Sequence, residues 1–228
     1  MNLMGFAFIT GGGRQAAASA RPLVSRLQQR ACEDCWWQTS TTRPQPRQPQ
    51  GIAKVAKNPE FEAGAVRMNV SFADSVQNAM DKMVATFGRV DYCVNGIGVL
   101  GESSDVAESS LDTFKSMMDV NTQGVFLVMR AASAAMAKQE PVLVGEARPR
   151  QSSSRGAIVN IGSITSYIAL PKSLQYTASK HAVLGLSRGG ALDNIKDGLK
   201  EEIADLIVFL YSPKASRING VNIVVDGS

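Results

Sequence analysis

The chain has 228 residues, 44% hydrophobic and 19% charged, enough to bury one sizeable core and in keeping with one domain over residues 1–228. That apolar content excludes a disordered chain, and 20 glycines with 9 prolines exclude a collagen-like one. The net charge of +4 is concentrated: residues 14–57 hold eight basic side chains against two acidic ones, Glu33 and Asp34. A basic stretch of this kind can meet nucleic acid, but Trp36-Trp37 stand alone without interleaved aromatics, so no nucleic-acid partner is expected. The longest apolar runs, 125–129 and 206–211, fall far short of a membrane span, so no membrane partner is expected either.

The opening MNLMGFAFI lacks a basic flank and runs straight into Thr10-Gly11-Gly12-Gly13, which predicts a buried strand over 6–10 and a turn rather than a signal peptide. A cytoplasmic location is expected. Between residues 15 and 50 no convincing strand is visible, only alanines, then glutamines, threonines, arginines and the run PQPRQPQ, so this stretch is expected to be atypical and disordered, and Arg21 to Gln50 protease-sensitive. It contains Cys32-Glu33-Asp34-Cys35, a lone C-x-x-C. Zinc needs about four ligands, and Cys93 and His181 lie far along the chain, so no metal site is expected.

From residue 74 to 87 the apolar positions Val76, Met80, Met83, Val84 and Phe87 recur at helical spacing until Gly88 stops them. Residues 90–94 predict a strand that ends in the turn Asn95-Gly96-Ile97-Gly98. A long helix follows over 111–138, a loop over 148–156, a strand over 157–161, a second long helix over 176–192, a third over 201–210 and a closing strand over 221–225. Strands alternating with helices predict a Rossmann-like, doubly wound parallel α/β sheet.

Tyr176 and Lys180 are four apart, so a helix sets them on one face with the ammonium beside the phenol. A neighbouring cation draws a phenol pKa down toward the working pH, which suits proton exchange at an alcohol or carbonyl oxygen. The pair alone is weak evidence. Asn160-Ile161-Gly162-Ser163-Ile164 closes a strand thirteen residues before the tyrosine, and the whole run IVNIGSITSYIALPKSLQYTASKHAVLGLSR closely resembles the active-site block of the short-chain dehydrogenase/reductase family. Asp119-Val120-Asn121 with the following TQGVF resembles that family's helix motif, and VNIVVDG at 221–227 its C-terminal strand.

The resemblance implies a role for each matching residue. Tyr176 would be the general acid/base, and Lys180 would lower its pKa while hydrogen-bonding the nicotinamide ribose. Ser163 would polarise the substrate oxygen, and Asn121 would hold a water linking the lysine to solvent. Taken singly, each has a plain structural reading: an exposed helix pair for Tyr176 and Lys180, a cap for Ser163, a mid-helix kink for Asn121. On the cofactor side, Gly11 keeps the first glycine of the family's phosphate turn, while Gln15 and Ala17 replace the second and third and should weaken binding. Arg14 resembles the basic residue that meets a 2′-phosphate, so the expected cofactor is NADP, with NAD open. Asn69 would lie near the adenine and Asn95 beside its ribose, although ordinary turn chemistry also accounts for both.

After Ala191-Leu192-Asp193-Asn194 the chain passes directly to 195–199, omitting several tens of residues that the family uses for a strand and a substrate-covering loop. The sheet is therefore expected to lack one or two strands, including the neighbour of the catalytic one, and the pocket its lid. Two functions follow. One is an NADP-dependent oxidoreductase acting on an alcohol or ketone; the ending GALDN and the insertion 145–156 resemble fungal members of secondary metabolism. The other is an inactive relative, either a truncated product or an interaction subunit that uses the faces around 131–137 and 182–191. Those same faces could build a homodimer or homotetramer.

Overall fold

In a computed structural model of the protein, residues 6–10, 34–39, 64–143, 153–194 and 199–201 are described. Strand β1 (Phe6–Thr10) carries Phe8 and Ile9, both fully buried, and is paired on both sides. Strands β2 (Asp34–Thr39) and β3 (Ala65–Arg67) extend the sheet on one side. On the other side come β4 (Tyr92–Asn95), then β7 (Gly156–Asn160), then β8 (Leu199–Glu201). The order is β3-β2-β1-β4-β7-β8, all parallel, with β5 (Val142–Leu143) and β6 (Ser153–Ser154) forming a separate antiparallel pair. This is the doubly wound α/β fold, with its crossover reversal between β1 and β4.

Helix α1 (Ala73–Phe87) buries Val76, Ala79, Met80 and Met83, a stripe at helical spacing. Gly88 ends it in the left-handed region, φ 79°, where its N–H reaches the Val84 carbonyl at 2.8 Å. Helix α2 (Leu111–Met118) is capped by Ser110, passes through a wide π turn (Asp119–Gln123) and continues as α3 (Gly124–Ala137). α1 and α3 pack together over the sheet, and α3 meets α4 (Leu174–Asn194), the helix that follows β7. Close approach explains two glycines: a Cβ on Gly124 would lie 2.9 Å from Val70 Cγ2, and one on Gly156 would lie 2.5 Å from Met136 Sδ.

Two expectations are corrected. Residues 34–39 form a strand within the stretch expected to have none, and Cys35 belongs to it. In a parallel sheet paired on both sides, register is set by backbone bonds to neighbours, so no alternating pattern is needed. β8 likewise pairs with β7 through Gly156↔Leu199, Ala157↔Lys200 and Ile158↔Glu201, so three residues supply the neighbour that the shortened chain was expected to lack. Glu201 accordingly ends a strand instead of opening the helix expected over 201–210. The rest of that helix, and the strand expected over 221–225, lie outside the described residues.

Candidate active site

Thr10, Asn95 and Asn160 end β1, β4 and β7 in register, as the pairings Thr10↔Asn95 and Asn95↔Asn160 require. Their side chains join the three strand ends. Thr10 Oγ1 donates to Asn95 Oδ1 at 3.1 Å, and Asn95 Nδ2 donates to Asn160 Oδ1 at 3.1 Å and to the Val125 carbonyl at 3.1 Å. Asn160 Nδ2 then donates to Ser187 Oγ on α4 at 3.0 Å. Asn95 is fully buried, so its side chain serves this link and the turn after it has backbone to present to a ligand.

One residue past the end of β7, the Ile161 carbonyl accepts a 3.0 Å hydrogen bond from Lys180 Nζ. Ser163 follows in extended backbone and caps the short turn Ile164–Ser166. Its Oγ accepts from the Thr165 N–H at 3.2 Å and the Thr165 hydroxyl at 2.9 Å. A serine oxygen accepts two hydrogen bonds and donates one. Both acceptor positions are thus occupied, and the hydroxyl proton is left free to donate.

Helix α4 places Tyr176 one turn before Lys180, with Nζ 5.8 Å from the centre of the phenol ring. Lys180 is 3% exposed, and burial lowers its pKa from 10.5 to about 8. Among the described residues no carboxylate pairs with it. A Cβ on Gly98 would lie 3.4 Å from Nζ, so the bare glycine brings the loop after β4 up to the ammonium.

Asn121 sits in the π turn, fully buried. Its Oδ1 accepts from the Val99 N–H at 2.8 Å, and its Nδ2 donates to the Val99 carbonyl at 3.0 Å and to Ser179 Oγ at 3.1 Å. Ser179 in turn donates to the Tyr176 carbonyl at 2.8 Å. A single amide therefore holds the Gly98–Val99 loop against α4. Ser179 and Gly98 were not singled out from sequence; adjacency to Lys180 was the only signal for the first, and the second carried none beyond its turn.

The structure brings Ser163, Tyr176, Lys180 and Asn121 to the carboxyl end of β7. Asn69 stands apart on the exposed turn after β3, where its Oδ1 accepts from the Ser71 N–H at 3.0 Å and its own N–H donates to Ser75 Oγ at 2.8 Å. Gly11 and Arg14 lie outside the described residues. His181 bonds the Thr177 carbonyl at 3.0 Å through Nδ1, one turn back on its own helix.

The doubly wound parallel sheet, with a tyrosine–lysine pair and a serine gathered at the carboxyl end of β7, is of the Rossmann class. The family described as short chain dehydrogenase matches residues 37–200. Short-chain dehydrogenase fogB of Aspergillus ruber is 40% identical over 215 residues, covering 76% of this chain and 78% of its own. Short-chain dehydrogenase srdC of Neurospora crassa is 38% identical over 213 residues, covering 75% and 78%. Among solved structures, a short-chain dehydrogenase/reductase from Serratia marcescens superimposes with a TM-score of 0.78 at 21% identity, over 100% of this chain and 98% of its own. An NAD+-bound xylitol dehydrogenase does so with 0.79 at 18%, over 98% of each. The chain belongs to the short-chain dehydrogenase/reductase family.

Proposed function

We propose that the protein is an NADP-dependent oxidoreductase that exchanges a hydride with an alcohol or ketone. The observation that carries the reading is Lys180: a buried ammonium with no carboxylate partner among the described residues is destabilising, and such groups are kept where chemistry uses them. The residues present suit a dinucleotide. The crevice between β1 and β4 lies where doubly wound sheets take nucleotides, and the described residues supply one acceptor, the Ile161 carbonyl, to the three N–H donors of Lys180. Two donors are left for a ribose diol. For NADP over NAD, β2 ends at Thr39, and the next four residues, Ser40, Thr41, Thr42 and Arg43, offer a guanidinium and no carboxylate. Arg14 beside Gly11 adds a second cation for a 2′-phosphate.

A bound nicotinamide would supply the hydride chemistry at the carbinol carbon. Tyr176 takes the hydroxyl proton in oxidation and returns it in reduction, Ser163 donates its free O–H to the same oxygen, and Lys180 keeps positive charge beside the phenol. Asn121 holds the Gly98–Val99 loop, so that Lys180 and the substrate space keep one geometry. The reading extends to a role in fungal secondary metabolism, supported by the fungal source of the relatives and the likeness at 190–194. The replaced glycines at 15 and 17 favour the other reading, an inactive interaction protein.

Titration with NADPH and NADH, followed by cofactor fluorescence and thermal stability, separates the two. Saturable binding with NADPH preferred is the expected result. Binding of neither by folded protein overturns the oxidoreductase reading.

A further inference from the structure

Two loops leave the candidate site, and both become apolar at once. The first begins at Gly98, whose backbone approaches Lys180, and exposes Val99 and Leu100. The second begins at Ser163 and exposes Ile164, Tyr167, Ile168 and Leu170. No charged residue occurs from 92 to 101 or from 156 to 171; Glu102 and Lys172 are the first.

The loops are tied where their charges begin. Ser104 N–H donates to the Lys172 carbonyl at 3.3 Å, and Lys172 Nζ lies 3.2 Å from Asp105 Oδ2. The exposed ion pair adds little stability, but it joins the two loops at a defined residue. Lys172 adopts φ 59°, the sole non-glycine residue in the left-handed region among those described, a conformation that costs energy and marks a constrained turn. At the near ends, Asn121 clamps Val99 and a Cβ on Gly101 would collide with Met117 Cε, so the first loop is seated on α2.

Two anchored loops, uncharged and exposing apolar side chains, run directly on from Gly98 beside Lys180 and from Ser163. From this arrangement we infer that the part of the substrate remote from its reacting oxygen is hydrocarbon, and that Val99, Leu100, Ile168 and Leu170 set this preference. The inference rests on the oxidoreductase reading for the position of the reacting carbon. It excludes sugars and polyols as good substrates, because each added hydroxyl would lose its water against side chains that offer no hydrogen bond.

The test is a binding series of 2-butanone, 2-pentanone, 2-hexanone and 2-heptanone, read by saturation-transfer NMR on the full chain with NADP+ present, beside an oxidation series of the matching 2-alkanols and D-threitol. Affinity should rise about fourfold per methylene. Ile168→Asp and Leu170→Asp, both at exposed positions, should flatten that gradient, while Leu192→Asp, exposed near the far end of α4, should leave it. A flat series, a gradient untouched by both loop variants, or oxidation of D-threitol in preference to 2-heptanol overturns the inference. A gradient in binding with no oxidation of any alcohol upholds the apolar site and overturns the oxidoreductase reading instead.

Discussion

Replacing Lys180 by methionine should make the protein more stable and inactive at neutral pH. Burial lowers the Lys180 pKa from 10.5 to about 8, so holding the ammonium inside the folded protein costs about 3 kcal/mol. The sign follows from proton counts. Between about pH 8 and 10.5 the unfolded chain carries the proton and the folded protein has lost it, so this group makes stability rise with pH across that window. Below pH 8 both states are protonated and the whole cost is present. Lys180→Met removes it but orphans the Ile161 carbonyl, at about 1–3 kcal/mol. The net is a gain of up to about 2 kcal/mol at pH 7, or a few degrees in Tm at about 2–4 °C per kcal/mol for a chain of this length. By pH 10.5 the wild-type penalty is gone and the variant, still missing its hydrogen bond, should be the less stable of the two. Thermal melts of both proteins at pH 7, 8, 9 and 10.5 read the difference directly, and effects of other titrating groups cancel between them. A difference in Tm that does not change with pH would refute the reasoning, because it would mean that Lys180 is not held charged against its own desolvation.

On the proposed reading, Tyr176→Phe should reduce turnover by about 10²-fold or more, because the proton-exchanging hydroxyl is lost, while NADPH affinity stays close to wild type; stopped-flow cofactor oxidation and fluorescence titration check the two halves. Asn121→Ala leaves the Val99 N–H and carbonyl without their side-chain partners and should lower stability by about 2–4 kcal/mol, measured by denaturant titration. Amide hydrogens near Trp37, the β2 residue with a partner in both β1 and β3, should be the slowest of Asp34–Thr39 to exchange; exchange within seconds there would show that this strand does not persist.

The parts legible in the sequence were those with a local cause. The stripe Val76, Met80, Met83 needs a helix whatever lies around it, and the spacing of Tyr176 and Lys180 puts them on one face by helix geometry alone. β2 had no such signature. Its residues Asp34, Cys35, Trp36, Trp37, Gln38 and Thr39 alternate nothing, and the partners that make them a strand are β1 and β3, the nearer edge of each more than twenty residues away in sequence. β8 was hidden the same way: Leu199, Lys200 and Glu201 read as the lead-in to a helix until β7 lies alongside. Secondary structure that exists only because a distant strand supplies hydrogen bonds leaves little trace in its own residues.

The site shows a different limit. For Ser163 and Asn121 the sequence offered a structural role and a chemical one as rivals, cap against catalyst and kink against water holder. The geometry shows the structural role of each. Ser163 caps the turn with its two acceptor positions, and that same use fixes its oxygen and leaves its hydroxyl proton uncommitted. Asn121 lies in the π turn, where the helix widens, and from there its amide spans from the Val99 backbone to Ser179, whose hydroxyl reaches the Tyr176 carbonyl. The kink is what lets one short side chain connect the loop beside Lys180 to the helix that carries Tyr176. A catalytic group must be held more firmly than a substrate can disturb it, so a residue at such a site is expected to have structural hydrogen bonds, and finding them does not count against a chemical role.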